Sequence, residues 1–212
     1  AGPDQIIQEV PDLDLFHPWE LTAEEALELA VAVEAAGFAK DSRITNSDGG
    51  SVSSVHGVSV RGSTEGLLVS QANSLHGISC VLLAEEGCSR ERSYAFTQSR
   101  RSELLRGVQS VGQEAAEKTV ARLNPRKCET GETPVLFMPD VASGILSSLI
   151  GAISGGSIYR KASYLVDRLD TQIMPEWASL REEPLLKGAI GSSAYDGDGL
   201  PTRAQYFVQN GV

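Results

Sequence analysis

At 212 residues, 41% hydrophobic and 22% charged, the chain is long enough to bury a sizeable core and too apolar for intrinsic disorder. A formal net charge of −10, with basic residues only in small groups such as Arg100-Arg101, Arg126-Lys127 and Arg160-Lys161, argues against nucleic-acid binding, which depends on neutralising phosphates. No apolar run approaches the roughly 20 residues of a membrane span, and three cysteines at unpatterned spacing suit reduced thiols, so a soluble, cytoplasmic protein is expected.

Residues 1–21 read as an extended linker punctuated by Pro3, Pro11 and Pro18, in which His17 packs or caps. Thr22-Ala-Glu-Glu25 is a capping box, with Thr22 as N-cap and Glu25 reaching back. It predicts a helix to about residue 36 that buries Ala26, Leu29, Ala30 and Val33, with Gly37 in the left-handed position at its end.

From residue 44 to 100 the period changes from helix to strand. Asp48-Gly49-Gly50 reads as a turn, followed by a strand over 52–61 and a second turn at Ser63-Thr-Glu-Gly66. Strands over 67–73 and 74–85, a turn at Glu86-Gly87 and a strand over 90–99 complete an antiparallel meander. His56 and His76 fall on these strands and are expected to be satisfied there rather than to bind metal. Helical period returns over 102–123, with a stripe through Leu105, Val108, Val111, Ala115, Thr119 and Leu123, and Asn124-Pro125 ends it. Gly107 and Gly112 weaken its first half, which allows a start near Ser110.

The polar stretch 126–133 suggests a boundary, dividing the chain into domains at 1–124 and 133–212. Beyond it the pattern gives a buried strand over 135–138, a buried helix over 140–153 and a glycine turn at Gly155, Gly156 and Ser157. Ala194-Tyr-Asp-Gly-Asp-Gly-Leu-Pro201 is an acidic glycine turn. Residues 206–211 read as a strand entering a hairpin at Asn210-Gly211, with the returning strand missing. With no Met at the start either, an internal piece of a longer protein is expected. The fold class is α+β: a meander sheet with flanking helices, followed by the start of a second, β-rich domain.

Several chemistries can be weighed on residue type alone. A zinc-protease helix needs two histidines on one face and a nearby glutamate, whereas the histidines here stand at 17, 56 and 76. His76 and Cys80 share a strand face but lie roughly 13 Å apart, too far for a proton to be shared. Asp196-Gly-Asp-Gly199 lacks the twelfth-position carboxylate of a calcium loop, so a plain turn is expected. Ser154-Gly-Gly-Ser157 could cradle an anion on backbone amides, and matches neither phosphate-loop spacing.

Taken together, Pro11-Asp-Leu-Asp-Leu-Phe-His-Pro-Trp19, Arg43-Ile-Thr-Asn46, Gly151-Ala-Ile-Ser-Gly-Gly-Ser-Ile-Tyr-Arg-Lys161 and Gln209-Asn-Gly211 resemble the PmbA (or TldE) branch of the TldD/PmbA family, also labelled modulator of DNA gyrase. The resemblance runs through essentially all 212 residues and implies a full protein about twice as long, with an amino-terminal α+β domain and a β-rich carboxy-terminal one. It implies a cytoplasmic metalloprotease pair acting in proteolysis and peptide maturation, whose catalytic branch carries H-E-x-x-x-H on the helix after a Pro-Val strand. Slid onto this chain, that motif falls on Ser147, Ser148 and Ala152, so the resemblance implies no metal and no catalytic residue here, and zinc in a TldD-type partner. Gly155, Gly156 and Ser157 remain candidates for substrate contact. The implied partners are the TldD-type protease subunit in a heterodimer, a peptide substrate and, when the chain is alone, a second copy in a homodimer; nucleic acid and membrane are not among them. The alternatives are a non-enzymatic peptide- or anion-binding module and a serine hydrolase using Ser147 or Ser148.

Overall fold

The computed structural model describes residues 4–212. Its first helix, α1 (Ala23–Phe38), starts where the capping box places it. Thr22 Oγ1 accepts from the Glu25 amide at 3.2 Å, and the Glu25 carboxylate accepts from the Thr22 amide at 2.9 Å. Both contacts lie at the surface, so Thr22→Ala is expected to cost about 1 kcal/mol of stability, read as a lower urea midpoint, and Thr22→Ser to cost far less.

Three antiparallel strands follow in the order β1-β2-β3: β1 (Ile44–Gly62), β2 (Leu68–Glu86) and β3 (Ser89–Ser99). The sheet is the expected meander with fewer breaks. The chain does not turn at 48–50: β1 runs straight through, with register shifts between 44 and 46 and between 47 and 49, and Gly49 takes φ +111°. Glycine stands at position 50 for a packing reason, since a Cβ there would meet Ala30 O of α1 at 2.1 Å. The segments 67–73 and 74–85 form one strand, because nothing interrupts the one-to-one pairing of β1 with β2 from 49 to 62.

A single 3-10 turn (Ser102–Leu104) leads into α2 (Val108–Val120), which begins between the two starts the sequence allowed. Helices α1 and α2 pack on one face of the sheet. Val33, Val111, Ala115 and Ala116 meet Ile44, Ile78, Cys80, Leu82, Ala84 and Ala95 in the first core. The two helices touch at their backbones: a Cβ on Gly112 would stand 2.2 Å from Val33 O and 2.9 Å from Gly37 N. Gly37 is therefore a helix-interior contact residue and not the left-handed terminator the sequence suggested; the cap is Ala39, at φ −69°.

The amino-terminal stretch is no free linker. Ile6, Ile7, Leu13 and Leu15 are buried with Leu67, Val69, Ala194 and Tyr195 in a second core. Beyond its pairing with β3, β2 offers its Ser74 amide to Leu15 O at 2.9 Å, so the arm takes up the place β3 vacates. Behind it lies a buried polar knot. His76 Nε2 donates to His17 O at 2.8 Å, while its Nδ1 meets the Ser54 hydroxyl at 3.0 Å. The Ser74 hydroxyl donates to Arg100 O and accepts from the His17 amide. The Arg100 guanidinium, 8% exposed, donates to three carbonyls: Ser74, Ala189 and Ile190. The expectation that His17 and His76 play satisfied, structural parts holds.

The chain divides into two compact units, residues 1–127 with 184–202, and residues 128–183 with 203–212. The division places 184–202 with the meander. In the second unit lie α3 (Pro139–Ile153), α4 (Gly155–Tyr159) and a two-stranded pair, β4 (Leu180–Glu182) with β5 (Gln205–Val208). Two expectations fail here. Residues 135–138 are not a strand, since no described strand gives them a ladder partner. Nor is α3 buried: it has no buried residue, Leu149 and Ile153 are only half-buried, and Val141, Ile145, Leu146 and Ile150 are exposed. Among the described residues no helix is long and apolar enough to cross a membrane.

Candidate functional site

Helix α3 starts at Pro139, whose fixed φ and missing N–H suit a first helical position. It presents serine at three places, and each hydroxyl turns back on its own helix. Ser143 donates to Asp140 O at 3.1 Å, Ser147 to Ser143 O at 2.9 Å and Ser148 to Gly144 O at 3.0 Å. Ser147 and Ser148 are exposed, and Ala152, half-buried, stands one turn beyond Ser148. The three positions lie on one helix, and both serine hydroxyls are turned to carbonyls of that helix.

Their chemistry does not fit zinc. A serine hydroxyl is a neutral, weak donor at neutral pH and an alanine methyl is no donor, whereas zinc takes thiolate, imidazole or carboxylate. Among the described residues, no group of three or more His, Cys, Asp or Glu side chains is placed to hold a metal ion. Each serine hydroxyl donates to a carbonyl rather than to a base, so neither is arranged as a nucleophile.

Gly155, Gly156 and Ser157 do not form the expected glycine turn. Neither glycine has positive φ. Instead Ser154, at φ −55° and ψ 136°, breaks the helical run and caps the short α4, its hydroxyl accepting from the Ser157 amide at 3.4 Å. Arg160 folds back over Gly156, where a Cβ would come within 3.5 Å of its Nη1.

Beside this break the second unit contains a concavity of about 790 Å³. It is lined by Ile153 and Ile158, by Arg168 and Asp170, and by Tyr206 and Phe207 of β5. Tyr206 is held under the Arg181 guanidinium, 5.3 Å from the ring centroid. Sequence reasoning missed this hollow, because its walls come from segments some fifty residues apart that share no motif.

The remaining candidates resolve simply. Burial pushes the Cys80 thiol up to about 11, so it is a packing residue and not a nucleophile beside His76. Asp196 closes its loop by accepting from the Asp198 amide at 2.9 Å and the Leu200 amide at 3.0 Å, an Asx-type turn. Cys80, Cys88 and Cys128 are all free thiols.

Comparison with known proteins also divides the chain in two, though it counts 184–202 with the second part. Residues 16–123 match the family model of the PmbA/TldA metallopeptidase central domain, and residues 130–212 that of the PmbA/TldA metallopeptidase C-terminal domain. The first part thus corresponds to a central domain where the sequence suggested an amino-terminal one. The chain is 41% identical over its whole length to metalloprotease PmbA of Escherichia coli O157:H7, covering 47% of it, and 40% identical to a PmbA homolog of Haemophilus influenzae, again covering 47%. It therefore spans about half the length of the curated relatives it matches. Among solved structures, a protein of Bacteroides thetaiotaomicron described as a modulator of DNA gyrase superposes on all of this chain and 49% of its own, with TM-score 0.92 and 26% identity. TldE of Thermococcus kodakarensis shares the fold at TM-score 0.74 and 19% identity. With both of its parts matched in order, the chain belongs to the PmbA/TldD metallopeptidase family.

Proposed function

We propose that this chain is part of a PmbA-type subunit that works in peptide maturation and proteolysis beside a zinc-bearing, TldD-type partner, and that it holds no zinc itself. The observation that carries the reading is the state of α3. Ser147 and Ser148 are bonded to their own helix, Ala152 offers only a methyl, and three ligating or basic groups would be needed in their place. On this reading the subunit shapes or presents the peptide, the metal lies in the partner, and the pair resides in the cytoplasm.

The test is metal content and cleavage, each measured on the protein alone and mixed with a TldD-type subunit. Alone, it is expected to carry substoichiometric zinc after dialysis and to leave an unstructured peptide intact; the mixture is expected to cleave, and to go on cleaving when Ser147→Ala and Ser148→Ala are introduced here. Stoichiometric zinc with cleavage by the lone chain would overturn the proposal. The concavity between Ile158 and Phe207 favours a second reading, a peptide-binding module that needs no protease. Peptide binding by the lone chain, with no TldD-type partner retained on gel filtration, is the result that would favour it.

A further inference from the structure

Strand β2 outlasts one of its partners. Strand β3 stops at the pairing of Ser99 with His76, so the stretch of β2 from Leu68 to Ser74 has a paired strand on the β1 side alone. Which of its main-chain groups look outward follows from the alternation along a strand. Ser74 donates its amide away from β1, to Leu15 O, and its carbonyl accepts there from Arg100. On the side of β1, Glu85 donates to Arg43 O and Leu67 O accepts from the Ser63 amide. The even-numbered residues of β2 therefore face outward, and among the described residues Ser70 and Ala72 meet no main-chain partner there. The amino-terminal arm runs beside this edge without closing on it: Val10 to Phe16 and Ser70 to Ala72 together line a concavity of about 410 Å³.

The arm is fixed at both ends and loosely bonded between them. At one end Ile7 donates its amide to Gly199 O at 2.9 Å, and Ile6 and Ile7 are buried. At the other, His17 is tied into the polar knot by its amide, which donates to Ser74 Oγ, and by its carbonyl, which accepts from His76. Across residues 8–16, two main-chain bonds reach the rest of the fold among the described residues: Leu13 O accepts from the Gly188 amide at 2.8 Å and Leu15 O from the Ser74 amide at 2.9 Å. Pro11 has no N–H to offer, and Asp14 sits at φ 56°, a left-handed value that interrupts any regular strand. Side chains hold the span instead. Leu13 and Leu15, each 5% exposed, plug the second core, and Asp14 makes partly exposed pairs with Arg101 and His17. We propose that residues 8–16 form a releasable strap, which lifts from β2 as one unit while its two ends, the sheet and the polar knot stay in place, and so gates the Ser70–Ser74 edge and the apolar floor made by Leu67 and Val69. Such a segment opens at a lower free energy than the whole fold, because few main-chain bonds and one small set of apolar contacts must be given up. The device belongs to this chain alone and needs neither metal nor partner.

Native-state hydrogen exchange, read residue by residue by NMR over a series of low urea concentrations, tests the strap. The Ser74 and Gly188 amides, bonded to Leu15 O and Leu13 O, report on it, and the Cys80 amide, on the stretch of β2 paired with β3, reports on the sheet. After correction for intrinsic rates, Ser74 and Gly188 are expected to exchange together, at least roughly tenfold faster than Cys80 and with a smaller dependence on urea. Asp14→Asn removes the charge and keeps a residue that tolerates positive φ. That variant, Arg101→Ala and the two combined are each expected to speed Ser74 and Gly188 by about two- to fivefold and to leave Cys80 unchanged. Ser74 and Gly188 exchanging with the rate and urea dependence of Cys80 would overturn the proposal, since the arm would then part only with the whole fold. Fast exchange at Ser74 with Gly188 still protected would do the same, because the arm would be fraying at one end and not lifting. Variants that speed Cys80 as much as Ser74, or that leave all three amides unchanged, would also overturn it.

Discussion

Arg100→Ala is expected to lower the unfolding free energy by about 3 kcal/mol or more, among the larger effects any single substitution in this chain can have. The side chain is 8% exposed, and burial pulls its pKa below the ordinary arginine value, yet among the described residues no carboxylate pairs with it. Three main-chain carbonyls satisfy it instead, with Nε to Ala189 O at 2.9 Å, Nη1 to Ser74 O at 3.1 Å and Nη2 to Ile190 O at 2.7 Å. Truncation leaves the buried Ser74 carbonyl without its donor, at a cost of about 1–3 kcal/mol, and removes two further bonds to Ala189 and Ile190, which lie nearer the surface. It also removes two of the bonds that tie the 184–202 segment down, though Gly188 still donates to Leu13 O and Tyr195 stays in the second core. Lysine, a point charge without the planar fork, is expected to restore less than half of the loss. The neighbouring Arg101 supplies the contrast. Its ion pair with Asp14, at 2.6 Å, is partly exposed, and although Arg101 holds the Asp14 carboxyl below its usual pKa, Arg101→Ala is expected to leave the unfolding midpoint nearly unchanged. Urea unfolding of the three variants in one buffer separates these outcomes; equal midpoints for Arg100→Ala and Arg101→Ala would refute the account of the knot.

Gly112→Ala tests the helix contact by its sign. In an open helix, replacing glycine with alanine stabilises by about 1 kcal/mol, since alanine orders the helix at lower entropic cost. At Gly112 the new methyl would stand 2.2 Å from Val33 O and 2.9 Å from Gly37 N, both main-chain atoms that cannot rotate away. Helices α1 and α2 must part, and their parting strips contact from Val33, Val111 and Leu82 in the first core. The expected outcome is a net loss of about 2 kcal/mol, measured as a lower thermal midpoint with unchanged helical content in the folded baseline. Gly144→Ala, inside α3 with nothing within 4 Å of its hypothetical Cβ, is expected to raise local helix stability instead.

These two residues also mark the limit of what the sequence makes legible. Local signals were read correctly: the Thr22–Glu25 box, the strand period through Leu82 and Ala84, and the Asp196 turn all depend on neighbours within a few positions. Gly37 reads in sequence as a terminator, Gly50 as part of a turn and Gly112 as a weak point in its helix, because a glycine kept for a close approach looks the same in sequence as one kept for a positive φ. Only the partner, remote in the chain, distinguishes them. Arg100 gave no signal at all, since its acceptors are carbonyls, which every residue has. The same limit holds at the site. No spacing or periodicity marks Ser147, Ser148 and Ala152; they became candidates only through resemblance to a motif whose residues they lack. The hollow beside Ile158 stayed hidden because its walls meet only in three dimensions.

The path of the chain through the two units sets a timetable for folding. During synthesis the meander and its two helices are complete once residue 127 has emerged, but Ala194 and Tyr195 of the second core, and the Ala189 and Ile190 carbonyls that help hold Arg100, arrive roughly 65 residues later. At typical elongation rates of about 5–20 residues per second the delay is on the order of 3–13 seconds. Throughout it Leu13, Leu15, Leu67 and Val69 have no lid, and the amino-terminal arm is held by less than its full set of bonds. The ribosome therefore carries a half-closed meander for longer than most domains of this size need to fold, which makes that interval the time when the nascent chain most needs a chaperone.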